Sequence, residues 1–143
     1  MELKAISPRF TVSAQLSPAD IVEAARLGYQ AIINNRPDGE GEDQPTSRQV
    51  GAAAESQGLT YHHVPVAPGR ISETDIDAFK AALEGAGGPV LAFCRTGTRS
   101  ATLWALSQAG RASSQALIQA AADAGYDLSE LRARLDARAM GVS

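Results

Sequence analysis

Val90-Leu91-Ala92-Phe93-Cys94-Arg95-Thr96-Gly97-Thr98-Arg99-Ser100 is the stretch on which the reading of this chain turns. Four apolar residues lead into the only cysteine. A polar loop with Gly97 in its middle follows, and from Arg99 the pattern turns helical, with Leu103, Trp104 and Leu106 supplying bulk. A short apolar run bounded by turn residues reads as a buried strand, so this stretch predicts a strand, a tight loop and a helix start. A sulfur at the head of such a loop meets backbone N–H groups and the positive end of a helix dipole, both of which favour negative charge there. The thiolate is the reactive form of cysteine. Cys94 is therefore read as a catalytic nucleophile. Arg95, Thr96, Gly97 and Thr98 form an anion-binding loop in which Gly97 permits a positive φ. Arg99 offers a planar fork of donors to a tetrahedral anion. Ser100 is placed to donate to the thiolate or to a leaving group.

Outward from this stretch, strand and helix signals alternate. Ala5 to Ser13 reads as two extended segments about Ser7-Pro8. Ser17-Pro18 opens a helix, serine as cap and proline in the first turn, and Gly28 closes it. Ala31-Ile32-Ile33 is a buried strand, and Asn34 to Pro45 a long polar loop leaving its end. A helix over about Ser47–Gln57 and a strand over Leu59–Val64 come next. Ser72 to Asp75 resembles a capping box with aspartate in place of the preferred glutamate or glutamine. It starts a helix through Ile76, Phe79, Ala82 and Leu83. After the central stretch, Ser113 or Ser114 caps one more helix, and Asp127 starts the last. Strands alternating with helices predict a three-layer α/β/α fold with a mostly parallel central sheet.

The 143 residues suggest a single domain over 1–143. A net charge of −3 without a basic block argues against a nucleic-acid surface. No run approaches the ~20 apolar residues of a membrane span, and no apolar leader follows Met1, so a cytoplasmic protein is expected. One cysteine and two histidines make neither an internal disulfide nor a spaced metal motif, and no cofactor is expected. Adjacent strand residues His62 and His63 face opposite sides. In open α/β sheets ligands bind beyond the carboxyl ends of the strands, which makes Arg36, Asp38 and Arg70 candidates for the pocket rim. Asp38 is also the candidate displaced general acid, with an Asx turn or an ion pair to Arg36 as its structural alternative. Arg132, Arg134 and Arg138 read as a solvated face.

Three stretches carry a resemblance: Asn34-Asn35-Arg36-Pro37-Asp38, His63-Val64-Pro65-Val66, and Cys94 through Ser100. They resemble the phosphatase-like domain of bacterial beta-lactamase-hydrolase-like proteins, by motif from about Ile6 to Leu106 and beyond that by helix pattern. The resemblance implies the fold of dual-specificity phosphatases and a phosphatase or hydrolase assignment. In fused members the domain accompanies a metal-dependent persulfide dioxygenase and is linked to sulfur transfer, so a separate persulfide dioxygenase is an expected partner.

Two features set the fine reading. Cysteine-dependent phosphatases carry a Cys-x5-Arg loop, whereas Cys94 and Arg99 are separated by four residues, as in rhodanese-type sulfurtransferases. The upstream stretch Pro65–Arg70, where resembled phosphatases carry an aspartate acid, holds no carboxylate. General acid catalysis is worth typically ~10²–10⁴-fold, and thiosulfate or a persulfide releases sulfite or a thiolate without needing it. The expectation from sequence is a rhodanese-type sulfurtransferase acting on thiosulfate or low-molecular-weight persulfides through a Cys94 persulfide. The alternatives are a phosphatase working through a cysteinyl-phosphate, or a silent phosphate-binding module. Rhodanese-like architecture is the alternative fold.

Overall fold

The computed structural model describes residues 1–141. The strands are β1 (Lys4–Ser7), β2 (Phe10–Ser13), β3 (Ala31–Asn34), β4 (Thr60–His63) and β5 (Val90–Phe93). The helices are α1 (Pro18–Arg26), α2 (Ser47–Ser56), α3 (Glu73–Gly85), α4 (Thr98–Ser107), α5 (Ser114–Asp123) and α6 (Arg132–Ala139). The strands form one sheet in the order β1-β2-β5-β3-β4. Only the edge pair β1–β2 is antiparallel; β5 lies parallel to both β2 and β3, and β3 parallel to β4. The fold is the α/β architecture expected, with helices on both faces.

The centre of the sheet explains the unbroken apolar run of β5. Val90 and Ala92 point into one core with Phe10, Val12, Ile33 and Phe79. Leu91 and Phe93 point into the other with Leu16, Ile21, Ile32 and Val50. A strand buried on both faces cannot alternate polar with apolar residues. Trp104 belongs to the first core, where its indole stacks on Phe10 with centroids 6.0 Å apart.

Helix starts follow local chemistry. Ser17, Thr46 and Ser72 each close a capping box, with Asp20, Gln49 and Asp75 as reciprocal partners. At α3 the aspartate works as glutamate would: Asp75 accepts from the Ser72 N–H at 2.9 Å, and the Ser72 hydroxyl accepts from the Asp75 N–H at 3.1 Å. The last helix departs from expectation. Asp127 accepts from the Ser129 N–H at 3.0 Å, a 3₁₀ turn spans Ser129–Leu131, and α6 begins only at Arg132.

Two of its arginines are not a solvated face. Arg134 donates to the Ile71 carbonyl at 2.8 Å. Arg138 pairs with Glu73 and donates to the Leu106 carbonyl at 3.0 Å. Both bind α6 to α3, its preceding loop and α4, because a long guanidinium stem reaches across a groove while its planar head satisfies carbonyls. Arg132 stays exposed, bonded within its own helix to Asp136. Among the described residues no helix is long and apolar enough to cross a membrane.

The parallel strands deliver their following loops to one end of the sheet. β5 sits between β2 and β3, so the chain order switches there, which is where open α/β sheets bind ligands.

Candidate active site

β5 ends at Phe93, and the next four residues, Cys94 to Gly97, turn back over the strand end into α4. Gly97 adopts φ +100°, and its N–H points at the Cys94 sulfur, 3.1 Å away. Helices α1, α2, α3 and α5 have a serine or threonine cap. Helix α4 starts at Gly97 with no side-chain cap. Its first-turn N–H groups therefore face the loop, where an anion would satisfy them. Cys94 itself is fully buried. It does not itself line the adjoining cavity of about 840 Å³, whereas its loop neighbours Arg95, Thr96, Thr98 and Arg99 do.

Two residues distant in sequence, Tyr126 and Asn35, hold the loop. Tyr126 donates its hydroxyl to the Thr96 carbonyl at 3.2 Å. Asn35 stitches three elements: its N–H donates to the Phe93 carbonyl at 2.8 Å, its amide donates to Val64 at 2.9 Å, and its carbonyl accepts from the Val66 N–H at 3.0 Å. Its side-chain oxygen accepts from the Ser100 hydroxyl at 2.8 Å. The serine is thus committed to Asn35, fully buried, and does not donate to the sulfur as expected from sequence. The reason is topological: β3 lies beside β5, so the residue after β3 meets the first turn of α4.

Arg99 is the best-defined cation of the site. Its Nη1 donates to the Glu40 carboxylate at 2.7 Å and to the Val66 carbonyl at 2.8 Å, and its Nη2 donates to Glu40 at 2.9 Å. A guanidinium has five N–H donors. Glu40 occupies the end-on pair and Val66 the remaining Nη1 hydrogen, which leaves the side-on edge of Nε and Nη2 for an anion. Arg36 donates from Nε to the same carboxylate at 2.9 Å and from Nη1 to Gln15 at 3.0 Å. The Arg99 fork, and behind it Arg36, hold the Glu40 carboxyl below its usual range against the opposing effect of burial. Glu40 in turn raises Arg99, with a further contribution from the charge of Cys94. Glu40 is therefore ionised and cannot serve as a proton donor at neutral pH.

The remaining candidates separate. Arg36, Arg95, Thr96, Thr98 and Arg99 line the cavity; Asp38 and Arg70 do not. Asp38 is exposed and accepts from the Ser47 N–H at 2.7 Å at the start of α2. It is neither paired with Arg36 nor placed as a displaced acid. Arg70 is exposed, while its neighbours Gly69 and Ile71 form the wall. His63 places Nε2 2.9 Å from the Arg36 carbonyl. Glu40, the carboxylate that does reach the site, stands two residues beyond Asp38. Nothing local in the sequence distinguishes the two, because the choice is made by which one the loop turns toward Arg99.

The phosphatase-like domain model of beta-lactamase hydrolase-like proteins matches residues 2–112. The chain belongs to that family. The family member from Xylella fastidiosa strain Temecula1, a beta-lactamase hydrolase-like protein, is 43% identical over 108 residues, covering 76% of this chain and 25% of that protein. The chain thus spans about a quarter of the length of that relative. A solved candidate phosphatase from Neisseria meningitidis is 38% identical, covers 97% of this chain and 99% of its own, and superposes with a TM-score of 0.84. The catalytic core of the PP-IP phosphatase SIW14 from S. cerevisiae shares the fold at 16% identity, with a TM-score of 0.66 over 99% of this chain and 85% of that one. The family domain has the cysteine-phosphatase-like fold. These likenesses support a cysteine-based enzyme of phosphatase type.

Glu40 offers a test of the site's internal balance. Glu40→Gln keeps the shape but removes a negative charge beside the anion site and one half of the fork's partner. Anion affinity is expected to rise and orientation of Arg99 to loosen, so the inhibition constant of inorganic phosphate falls several-fold while kcat drops roughly 10-fold. The folded pKa is depressed, so this brace is complete above the usual carboxylate value of 4.5. It is lost only as the pH falls through the lower folded-state value. An unchanged phosphate affinity together with unchanged kcat would show that Glu40 does not position Arg99.

Proposed function

We propose that this domain is a cysteine-dependent phosphatase acting on phosphate monoesters whose leaving group departs without protonation. What carries the reading is the Cys94 loop, with its sulfur against a loop amide and the Arg99 edge beside it. It stands in a chain that matches a candidate phosphatase from end to end. In the first step the Cys94 thiolate attacks phosphorus, the S–P bond forms, and the P–O bond breaks with its electron pair leaving on the alcohol oxygen. Water then attacks the cysteinyl-phosphate, releasing orthophosphate and restoring the thiolate. The loop amides, the α4 N-terminus and Arg99 stabilise charge on the phosphoryl oxygens in both steps.

The restriction on leaving groups follows from the cavity wall. Its only carboxylate among the described residues is Glu40, held ionised by two arginines. Aryl phosphates, whose phenolates leave readily, suit such a site, and simple alkyl phosphates do not.

Sulfur transfer is the second reading, favoured by the loop of four residues between Cys94 and Arg99 and by the same lack of an acid. A paired assay on one preparation separates them, with aryl phosphates of graded leaving-group basicity in one arm and thiosulfate with cyanide as acceptor in the other. Aryl phosphate turnover is expected to dominate and to fall at least ~100-fold on going to an alkyl phosphate. A thiosulfate rate above the aryl phosphate rate would replace the phosphatase reading by the sulfurtransferase one.

A further inference from the structure

The cavity exceeds what one phosphoryl group requires. Its volume of about 840 Å³ lies in the upper part of the range of small-molecule pockets, roughly 300–1,000 Å³. Its charge is one-sided: Arg36, Arg95, Arg99 and Arg134 line it against a single acid, Glu40, in a chain whose net charge is −3. Arg36 and Arg99 belong to the Glu40 network at the cradle. The other two do not. Arg95 is exposed on the cavity wall, and its side chain makes no ion pair or hydrogen bond among the described residues. Arg134 is fixed by its Nη2, which donates to the Ile71 carbonyl at 2.8 Å and reaches Glu73 at 3.4 Å. Its Nη1 and Nε have no such partner among the described residues. Pro68, Ile71 and Leu131 supply an apolar wall in the same cavity.

We propose that the cavity takes a phosphate monoester whose alcohol part carries a second anionic group, a carboxylate or a phosphate. Arg95 and Arg134 bind that group while the body of the ligand lies on Ile71 and Leu131. The inference rests on the reading of the Cys94 loop as the reacting site. It fits the chemistry of guanidinium groups, whose planar forks recognise both carboxylate and phosphate. It also assigns a purpose to the end of the chain. Leu131 and Arg134 lie beyond residue 112, where the family match stops, so substrate selection is built in part from elements outside the family-defining stretch.

The test uses aryl phosphates with a para tail ending in a carboxylate, the matching methyl esters, and a third set ending in a phosphate. Binding is measured by calorimetry on the Cys94→Ser chain, where no turnover interferes, and kcat/KM on the unaltered chain. The carboxylate is expected to bind about 10-fold more tightly than its methyl ester, with the phosphate-tailed arm reporting which anion is preferred. The ratio should fall towards one in Arg134→Met and, independently, in Arg95→Gln, so that a folding defect in one variant leaves the other decisive. Equal binding of acid and ester to the chain with both arginines intact overturns the inference. Cleavage of the esters without any preference for the acid removes the second subsite and leaves the phosphatase reading standing. A preference for the acid without cleavage of any member keeps the subsite and removes the phosphatase reading.

Discussion

Cys94→Ser is expected to abolish turnover, by about 10⁴-fold or more, while leaving the fold intact. Loss of a nucleophile in covalent catalysis commonly costs this much or more. The serine hydroxyl needs a base to remove its proton, and none is in place: Glu40 is committed to Arg99 and Arg36, and the His63 Nε2 lies against the Arg36 carbonyl. The exchange of sulfur for oxygen is nearly isosteric, and the Gly97 N–H can still donate to the new hydroxyl. Cys94 is the only cysteine, so alkylation of the unaltered chain by iodoacetamide reports this sulfur alone, and loss of activity should track loss of the free thiol. Anion binding to the serine variant should persist, since Arg99 and the loop amides are untouched. Residual activity within ten-fold of the unaltered chain would exclude Cys94 as the nucleophile.

Gly97→Ala is the second large effect, and it acts on both stability and catalysis. Gly97 sits at φ +100°, where an L side chain costs roughly 1–2 kcal/mol. An added Cβ would also overlap the Tyr126 hydroxyl, lying 2.9 Å from the ring carbon that bears it and 3.0 Å from Val12 Cγ1. Val12 and Tyr126 are buried in the core, so the loop must yield. Its movement takes the Gly97 N–H off the sulfur and the Tyr126 hydroxyl off the Thr96 carbonyl. A loss of about 3 kcal/mol in unfolding free energy is expected, with a fall of about 100-fold in kcat/KM, since displacing a cradle by about 1 Å has that consequence. Adding Tyr126→Phe removes the overlapping oxygen. The double variant should recover part of the stability but not all of it, because the backbone strain remains. Denaturant midpoints of the two variants check this, and equal midpoints for Gly97→Ala and the unaltered chain would mean that the loop tolerates a side chain there.

Much of this arrangement was legible in the sequence because its causes are local. The buried β5 run, the serine and threonine caps and the glycine of the Cys94 loop each declare themselves within a few residues. The strand-to-helix turn therefore placed sulfur, loop and Arg99 together without reference to the rest of the chain. The partners that fix the site are remote. Arg99 meets Glu40 and Ser100 meets Asn35 only because β3 and β5 are sheet neighbours, and Tyr126 reaches Thr96 from beyond α5. Sequence proximity to the end of β3 therefore favoured Asp38, whereas chain direction in the loop selects Glu40. Arg134 differs from its sequence expectation for a related reason. An arginine among alternating charges on a helix looks solvated until the neighbouring carbonyl of Ile71 is in view.

Cavity and wall also bear on the choice between phosphorus and sulfur chemistry. The short loop and the missing acid, which favour sulfur in the sequence, are compatible with a phosphatase limited to good leaving groups. The match to a candidate phosphatase shows the fold within which both chemistries are weighed, and the choice between them rests with the paired assay.

The most direct measurement is the mass of the intact chain, quenched during the first turnover with an aryl phosphate. A single phosphoryl group located on Cys94, absent from the Cys94→Ser chain, is the predicted result. An unmodified Cys94 while the aryl phosphate is being consumed, or a single sulfur atom gained from thiosulfate with no phosphoryl adduct from any ester, would contradict it.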